Sequence, residues 1–205
     1  MWYAFCKFWA RLLFSVLFGI RVYGQRNVPA TGGVILASTH QSFLDPIAVE
    51  LGLSREGHIM ARDSLFRGLF GRLISSLNAF PIERASADLG AMRTAIRRLS
   101  EGQMLLLFPE ATRTRTGDIG RLRPGLGLLA KWSDATVVPV TIEGAFACWP
   151  RNRKMFRPGK IRVMFGSPMR LTSGKRRDLR AFIDVLRARM VAQQHRLRDI
   201  ARLGV

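Results

Sequence analysis

Acidic residues are scarce in this chain: Asp and Glu number 14 against 33 Lys and Arg, for a formal charge of +19. Such an imbalance favours polyanionic partners, whether nucleic acid, an anionic bilayer or a phosphorylated substrate. Cysteine is scarcer still. The two present, Cys6 and Cys148, form no disulfide framework and no metal-ligand pattern, as a reduced cytoplasmic setting also gives. No apolar run is long enough to span roughly 30 Å of hydrocarbon as a helix; the nearest, Leu12 to Ile20, is too short. No G-x-S-x-G is present, which disfavours a serine hydrolase built on a nucleophile elbow. The glycines of RLRPGLG (121–127) miss both phosphate-loop spacings and serve turns and packing instead. No repeat or low-complexity linker divides the 205 residues, so one domain accounts for most of the chain.

What is present begins at the N-terminus. Residues 1–20, MWYAFCKFWARLLFSVLFGI, crowd aromatic and aliphatic side chains together. Lys7 and Arg11 lie inside this stretch and no A-x-A-like cleavage site follows, which disfavours a signal peptide. On a helix, Ala4, Lys7, Arg11 and Ser15 form one narrow polar stripe, and Trp2, Phe5, Trp9, Leu12, Leu13, Val16 and Leu17 cover the rest. That pattern predicts a helix lying in a membrane interface, its basic stripe toward the headgroups. The competing reading packs the helix on the core of the domain, residues 21–205.

Beyond Gly24 strand and helix signals alternate. Val34–Ser38, His58–Ala61, Ala79–Ile82, Met104–Phe108, Thr136–Ile142 and Ile161–Phe165 read as short strands. Pro46–Leu53, Leu65–Leu77, Ser86–Leu99 and Pro124–Trp132 read as helices between them. Gly174–Leu203 reads as a surface helix docked through Leu179, Phe182, Ile183, Leu186 and Met190, with arginines on its other faces. The alternation predicts an α/β fold: a single layered domain with a largely parallel twisted sheet flanked by helices.

Two segments place reactive groups just past an apolar strand, where open α/β sheets bind ligands. In THQSFLD (39–45), His40 is followed five residues later by Asp45. If the chain turns into a helix after Ser42, the carboxylate can fold back on the imidazole, fixing its tautomer and stabilising its protonated form. In FPEATRTR (108–115), Arg113 and its neighbours can grip phosphate oxygens at roughly 1.5–3 kcal/mol per charge-assisted bond. Glu110 could hold Arg113 or accept a substrate hydroxyl. Taken singly, a His–Asp pair is more often a structural hydrogen bond, and a solvated loop is the commoner fate of such a charged run. His58 reads as a strand residue, His195 as a surface-helix residue and Cys148 as a small buried apolar group.

Together the segments are more specific. H-x4-D with F-P-E-x-T-R further along resembles the glycerophospholipid acyltransferase family, whose type is 1-acylglycerol-3-phosphate acyltransferase. YGQRNVP (23–29), ARDSLF (61–66) with PIER (81–84), and VPVTIEG (138–144) resemble further blocks of that family in the same order. The chain departs from the family pattern at Thr39, where asparagine is common, and at Ala111, where glycine is usual. Arg62 stands where lysine is frequent, and Leu69 or a neighbour where proline is usual.

The resemblance implies an O-acyltransferase that moves a fatty acyl group from acyl-CoA or acyl-carrier protein to a lysophospholipid hydroxyl, with 1-acyl-sn-glycerol-3-phosphate as the leading acceptor. It implies His40 as general base oriented by Asp45, and Arg84, Glu110 and Arg113 at the glycerol-phosphate site, with Pro139 shaping the pocket. The donor is a substrate, and neither a resident cofactor nor a metal is implied. The expected setting is the cytoplasmic face of an anionic phospholipid membrane, with the protein bound to one leaflet. A nucleic-acid partner is disfavoured, because the basic residues are dispersed and no nucleic-acid-binding motif or basic–aromatic interleaving accompanies them.

Overall fold

The computed structural model describes residues 1–82, 89–171 and 176–204. It opens with helix α1 (Trp2–Phe18) and a short strand β1 (Arg21–Tyr23). There follow β2 (Val34–Ser38), α2 (Asp45–Leu51), β3 (Gly57–Arg62), α3 (Gly68–Ser76) and β4 (Ala79–Ile82). The second half contains α4 (Leu89–Ser100), β5 (Met104–Leu107), α5 (Gly125–Ser133), β6 (Thr136–Glu143), α6 (Ala145–Cys148), β7 (Arg162–Phe165) and α7 (Arg176–Arg202).

The seven strands form one sheet in the order β1-β7-β6-β2-β5-β3-β4. Every neighbouring pair is parallel except β6–β7. The sequence therefore anticipated a largely parallel sheet with flanking helices, and that is the architecture. Strand β2 is buried along its whole length because helices cover both faces, which is why VILAS is continuously apolar rather than alternating. One face packs against α1, α2 and α6 through Phe14, Phe18, Val49, Leu106 and Val138, among others. The opposite face packs against α4, α5 and α7 through Ala95, Leu129, Phe182, Leu186 and Met190. The apolar stripe expected of the last helix is thus its docking surface.

Pairs Ala37↔Leu107 and Ala37↔Pro139 hold β2, β5 and β6 level, so all three end at the same edge of the sheet. The peptides that follow, from Thr39, Phe108 and Gly144, converge there. Two short elements escaped the pattern: β1 is only three residues long, and α6 only four. Neither completes a period that sequence can display.

Helix α1 corrects one expectation. Lys7 and Arg11 face the domain, not headgroups. The Lys7 ammonium donates to the Leu53 carbonyl at 2.8 Å, and the Arg11 guanidinium to the Leu51 carbonyl at 2.7 Å. These carbonyls lie at and just past the C-terminal end of α2, where unsatisfied acceptors and the helix dipole attract cations. Tyr3 donates to Glu50, whose burial raises its carboxyl above the usual range. Phe14 and Phe18 complete the docking stripe and join the core. The outer face is apolar: Trp2, Phe5, Phe8, Trp9, Leu12, Leu13 and Val16 are all exposed, Val16 to 75%. Among the described residues, no helix is long and apolar enough to cross a membrane.

Candidate active site

His40 sits on the first turn past β2 and is 5% exposed. Its Nδ1 lies 2.8 Å from Oδ2 of Asp45, the first residue of α2. The same oxygen accepts the main-chain N–H groups of Gln41, at 2.6 Å, and Ser42, at 2.7 Å. A carboxylate oxygen that already receives two N–H donors acts on the imidazole as an acceptor, so Nδ1 carries the proton and Nε2 presents a lone pair. The ring stacks on Phe108 from the second motif, centroids 3.9 Å apart. The backbone of THQSFLD is thereby wrapped around the Asp45 carboxylate, which explains how a five-residue spacing brings acid and imidazole together.

Glu110 joins the two motifs. Its Oε1 accepts the His40 main-chain N–H at 3.0 Å, and its Oε2 accepts the Gly120 N–H at 2.8 Å. Burial pushes its carboxyl above the usual range, while these N–H groups and the nearby His40 pull it back. The His40 carbonyl in turn accepts the Thr114 N–H at 2.8 Å. Sequence suggested Glu110 as a partner of Arg113 or of the acceptor. The geometry shows it binding the backbone of both site loops, a role that no spacing could reveal.

Arg113 stacks its guanidinium on the Phe43 ring, 3.6 Å from the centroid. It borders a cavity of about 720 Å³ beside Glu110, together with Arg115, Arg121, Arg123 and Arg151. Arg151 reaches Thr112, also on the wall, at 3.5 Å. Sequence reasoning missed Arg121 and Arg123, because the glycines drew attention within RLRPGLG. It also missed Phe43 and Gln41. The Gln41 side chain donates to the Gly117 carbonyl at 2.8 Å and accepts the Phe146 N–H at 3.4 Å, tying together loops from three strands. An amide that long inside a reactive motif was the available signal.

Arg84, the remaining expected site residue, lies outside the described residues. Pro139 does not border the arginine cavity. It lines a separate cleft of about 420 Å³ between α7 and the β1–β7 edge, because its side chain leaves β6 on the α7 face. His58 lies in β3 and His195 on the exposed surface of α7. Burial, then the Arg98 charge, holds the His58 imidazole below its ordinary value. Cys148 is buried in α6, and burial pushes its thiol up.

A layered α/β domain with an oriented imidazole, tied through Glu110 to an arginine-walled cavity, suits an enzyme that transfers acyl groups. Residues 19–143 match the family model described as Acyltransferase, and the chain belongs to the glycerophospholipid acyltransferase family. It is 30% identical over 169 residues to the 1-acyl-sn-glycerol-3-phosphate acyltransferase of Bacillus subtilis strain 168, covering 82% of each chain. Against the enzyme of that description from Pseudomonas aeruginosa it is 31% identical, covering 80% of this chain and 65% of the relative. The crystal structure of PlsC, the 1-acyl-sn-glycerophosphate acyltransferase of Thermotoga maritima, superimposes with a TM-score of 0.77 at 25% identity, over 93% of this chain and 79% of that one.

Proposed function

We propose that this acyltransferase acylates the free hydroxyl of a lysophospholipid, most simply 1-acyl-sn-glycerol-3-phosphate, to give phosphatidic acid. The observation that carries the reading is the Asp45–His40 pair tied through Glu110, which receives the His40 N–H and lines the arginine cavity: a base and an anion cradle on joined loops suit an alcohol that bears a phosphate. The names of the relatives favour the same acceptor.

The acceptor oxygen attacks the thioester carbonyl carbon while His40 Nε2 takes its proton. The C–O bond forms, the C–S bond breaks, and the proton passes from the imidazolium to the departing thiolate sulfur. Asp45 stabilises the imidazolium through Nδ1 without itself becoming protonated. Arg113 grips the phosphate, and Arg84 shares that role. Glu110 fixes the geometry between base and cradle. Acyl-CoA or acyl-carrier protein supplies the acyl group, and the chemistry requires no resident cofactor.

The acceptor lives in a bilayer, and the outer face of α1 suits one leaflet of it. Its tryptophans and phenylalanines are exposed although each would bury large apolar area. We assign this face to the membrane interface on the cytoplasmic side, where thioester donors reside. The test of the activity is thiol release from long-chain acyl-CoA, or from acyl-carrier protein, with lysophosphatidate in detergent micelles. Stoichiometric release of thiol with formation of phosphatidic acid is expected. Absence of release across both donors and a panel of lysolipids would overturn the reading.

A further inference from the structure

Between α6 and β7 the chain runs RNRKMFRPGK, from Arg151 to Lys160. It contains Arg151, Arg153, Lys154, Arg157 and Lys160 with no acidic residue, and at its tip it exposes Met155 to 70% and Phe156 to 39%. Isolated exposed apolar residues are ordinary, but an adjacent methionine and phenylalanine ringed by cations have the composition of a contact with an anionic interface.

The loop is firmly braced on the end of α1. The Gly159 N–H donates to the Leu17 carbonyl at 3.0 Å and the Ile161 N–H to the Phe18 carbonyl at 2.9 Å. Phe156 lies edge-on to Phe18, with centroids 5.7 Å apart, and packs on Trp149 at 5.9 Å. The Trp149 indole donates to the Arg153 carbonyl at 3.1 Å, and the Arg157 N–H to the Cys148 carbonyl at 2.8 Å. On its inner side the loop meets the site. Trp149 packs on Phe43 at 5.1 Å, its carbonyl accepts the Ser42 hydroxyl at 2.8 Å, and Arg151 borders the arginine cavity.

We propose that the Arg151–Lys160 loop is a second membrane-contact element, docking on an anionic phospholipid leaflet beside α1. Met155 and Phe156 enter the acyl boundary, while Lys154, Arg157 and Lys160 meet the phosphates. Through Arg151 and Trp149 the loop sets the cavity mouth at headgroup depth, where a lysolipid phosphate can pass into it without leaving the leaflet. The inference rests on the membrane reading of α1.

The test is vesicle co-sedimentation of the full chain, on phosphatidylcholine alone and on phosphatidylcholine mixed with phosphatidylglycerol. Lys154→Gln combined with Arg157→Gln should weaken binding about 10- to 30-fold on the anionic vesicles only, an effect that high salt erases. Met155→Gln should weaken binding on both vesicles, on the order of tenfold. Turnover of a short-chain, water-soluble acceptor should stay at the unsubstituted rate in both variants, which also reports that they are folded. If both variants bind like the parent while Phe8→Gln combined with Val16→Gln does not, this proposal falls and α1 alone is the contact. If the parent binds neither vesicle, both readings fall. If the charge variant binds vesicles normally but raises the KM for an acyl-carrier-protein donor, the loop is a donor dock and the proposal is overturned.

Discussion

The main-chain N–H of His40 is held by the side chain of Glu110, seventy positions further along the chain, at 3.0 Å. With the other oxygen of Glu110 on Gly120, one carboxylate fastens the base-bearing loop to the arginine-bearing loop. Glutamine in its place has one acceptor oxygen and an amide that faces a donor. Glu110→Gln should therefore cost about 1–3 kcal/mol of stability and roughly tenfold in kcat, with the fold retained. The pH dependence has a definite sign. The folded carboxyl titrates above the ordinary glutamate value of about 4.3, so the folded protein keeps a proton that the unfolded chain has released. The contribution of this group is full below that value and declines as pH rises toward the folded one. Tm measured across acidic pH should show the decline in the parent and less of it in Glu110→Gln.

His40→Ala should lower kcat by at least about 10²-fold, the usual contribution of a general base. Asp45→Asn keeps the shape and can keep an acceptor oxygen on the Gln41 and Ser42 N–H groups. It loses the charge that stabilises the imidazolium, and leaves its NH2 buried at the place of Oδ1, which has no hydrogen-bond partner among the described residues. A strong fall in kcat together with lower stability is expected. A folded His40→Ala enzyme working at the parental rate would place the base elsewhere.

Arg113→Ala should act on the phosphorylated acceptor and spare the donor. Loss of one charge-assisted contact at about 1.5–3 kcal/mol corresponds to roughly 10- to 150-fold in acceptor kcat/KM. Phe43→Leu keeps the apolar bulk but removes the aromatic face beneath the guanidinium. It should raise acceptor KM by roughly 2- to 5-fold, in line with an exposed cation–π contact of about 0.5–1 kcal/mol. Steady-state kinetics in both substrates separate these outcomes from a rise in donor KM, which would assign the arginine to the donor's phosphates.

Ala111 occupies the position where the family pattern has glycine, and its φ of 59° lies in the left-handed region. A Cβ there costs roughly 1–2 kcal/mol, partly offset by the greater freedom of an unfolded glycine. Ala111→Gly should stabilise the protein by about 0.5–1 kcal/mol, raising Tm by roughly 1–4 °C in a domain of this size. An unchanged or lower Tm would mean that the surrounding turn tolerates the side chain.

Phe8→Gln combined with Val16→Gln tests the outer face of α1 without touching its docking stripe. Removing all of residues 1–20 would also take Phe14 and Phe18 out of the core, so substitution is the cleaner experiment. Sedimentation with vesicles should fall on the order of tenfold or more, largely independent of salt, because the lost contribution is apolar. Turnover of a water-soluble acceptor should not change.

The strands that carry the site were legible because β2, β5 and β6 are buried on both faces, and burial writes itself as uninterrupted apolar runs. His40 and Asp45 were legible because the turn between them is local: three consecutive residues, His40 to Ser42, close on one carboxylate. The role of Glu110 was not, since its partners are backbone N–H groups on distant loops and any residue can supply those. The orientation of α1 failed for a related reason. Helical periodicity separates a polar stripe from an apolar one, but it does not say which stripe meets the domain. Here α2 ends in carbonyls that need donors, and Lys7 and Arg11 supply them.

That arrangement has a consequence for anyone who would re-engineer the enzyme. Helix α2 has Asp45 at its first turn and receives Lys7 and Arg11 beyond its last, and its seven residues make it only about 10 Å long. The N-terminal segment is therefore no interchangeable tether that a designer could swap for a foreign anchor or a solubility tag. A fusion joined near residue 20 would leave bare the far end of the short rod that aims the imidazole. Any graft that preserves turnover must reproduce two cations spaced four residues apart, whatever it does with the face turned to the lipid.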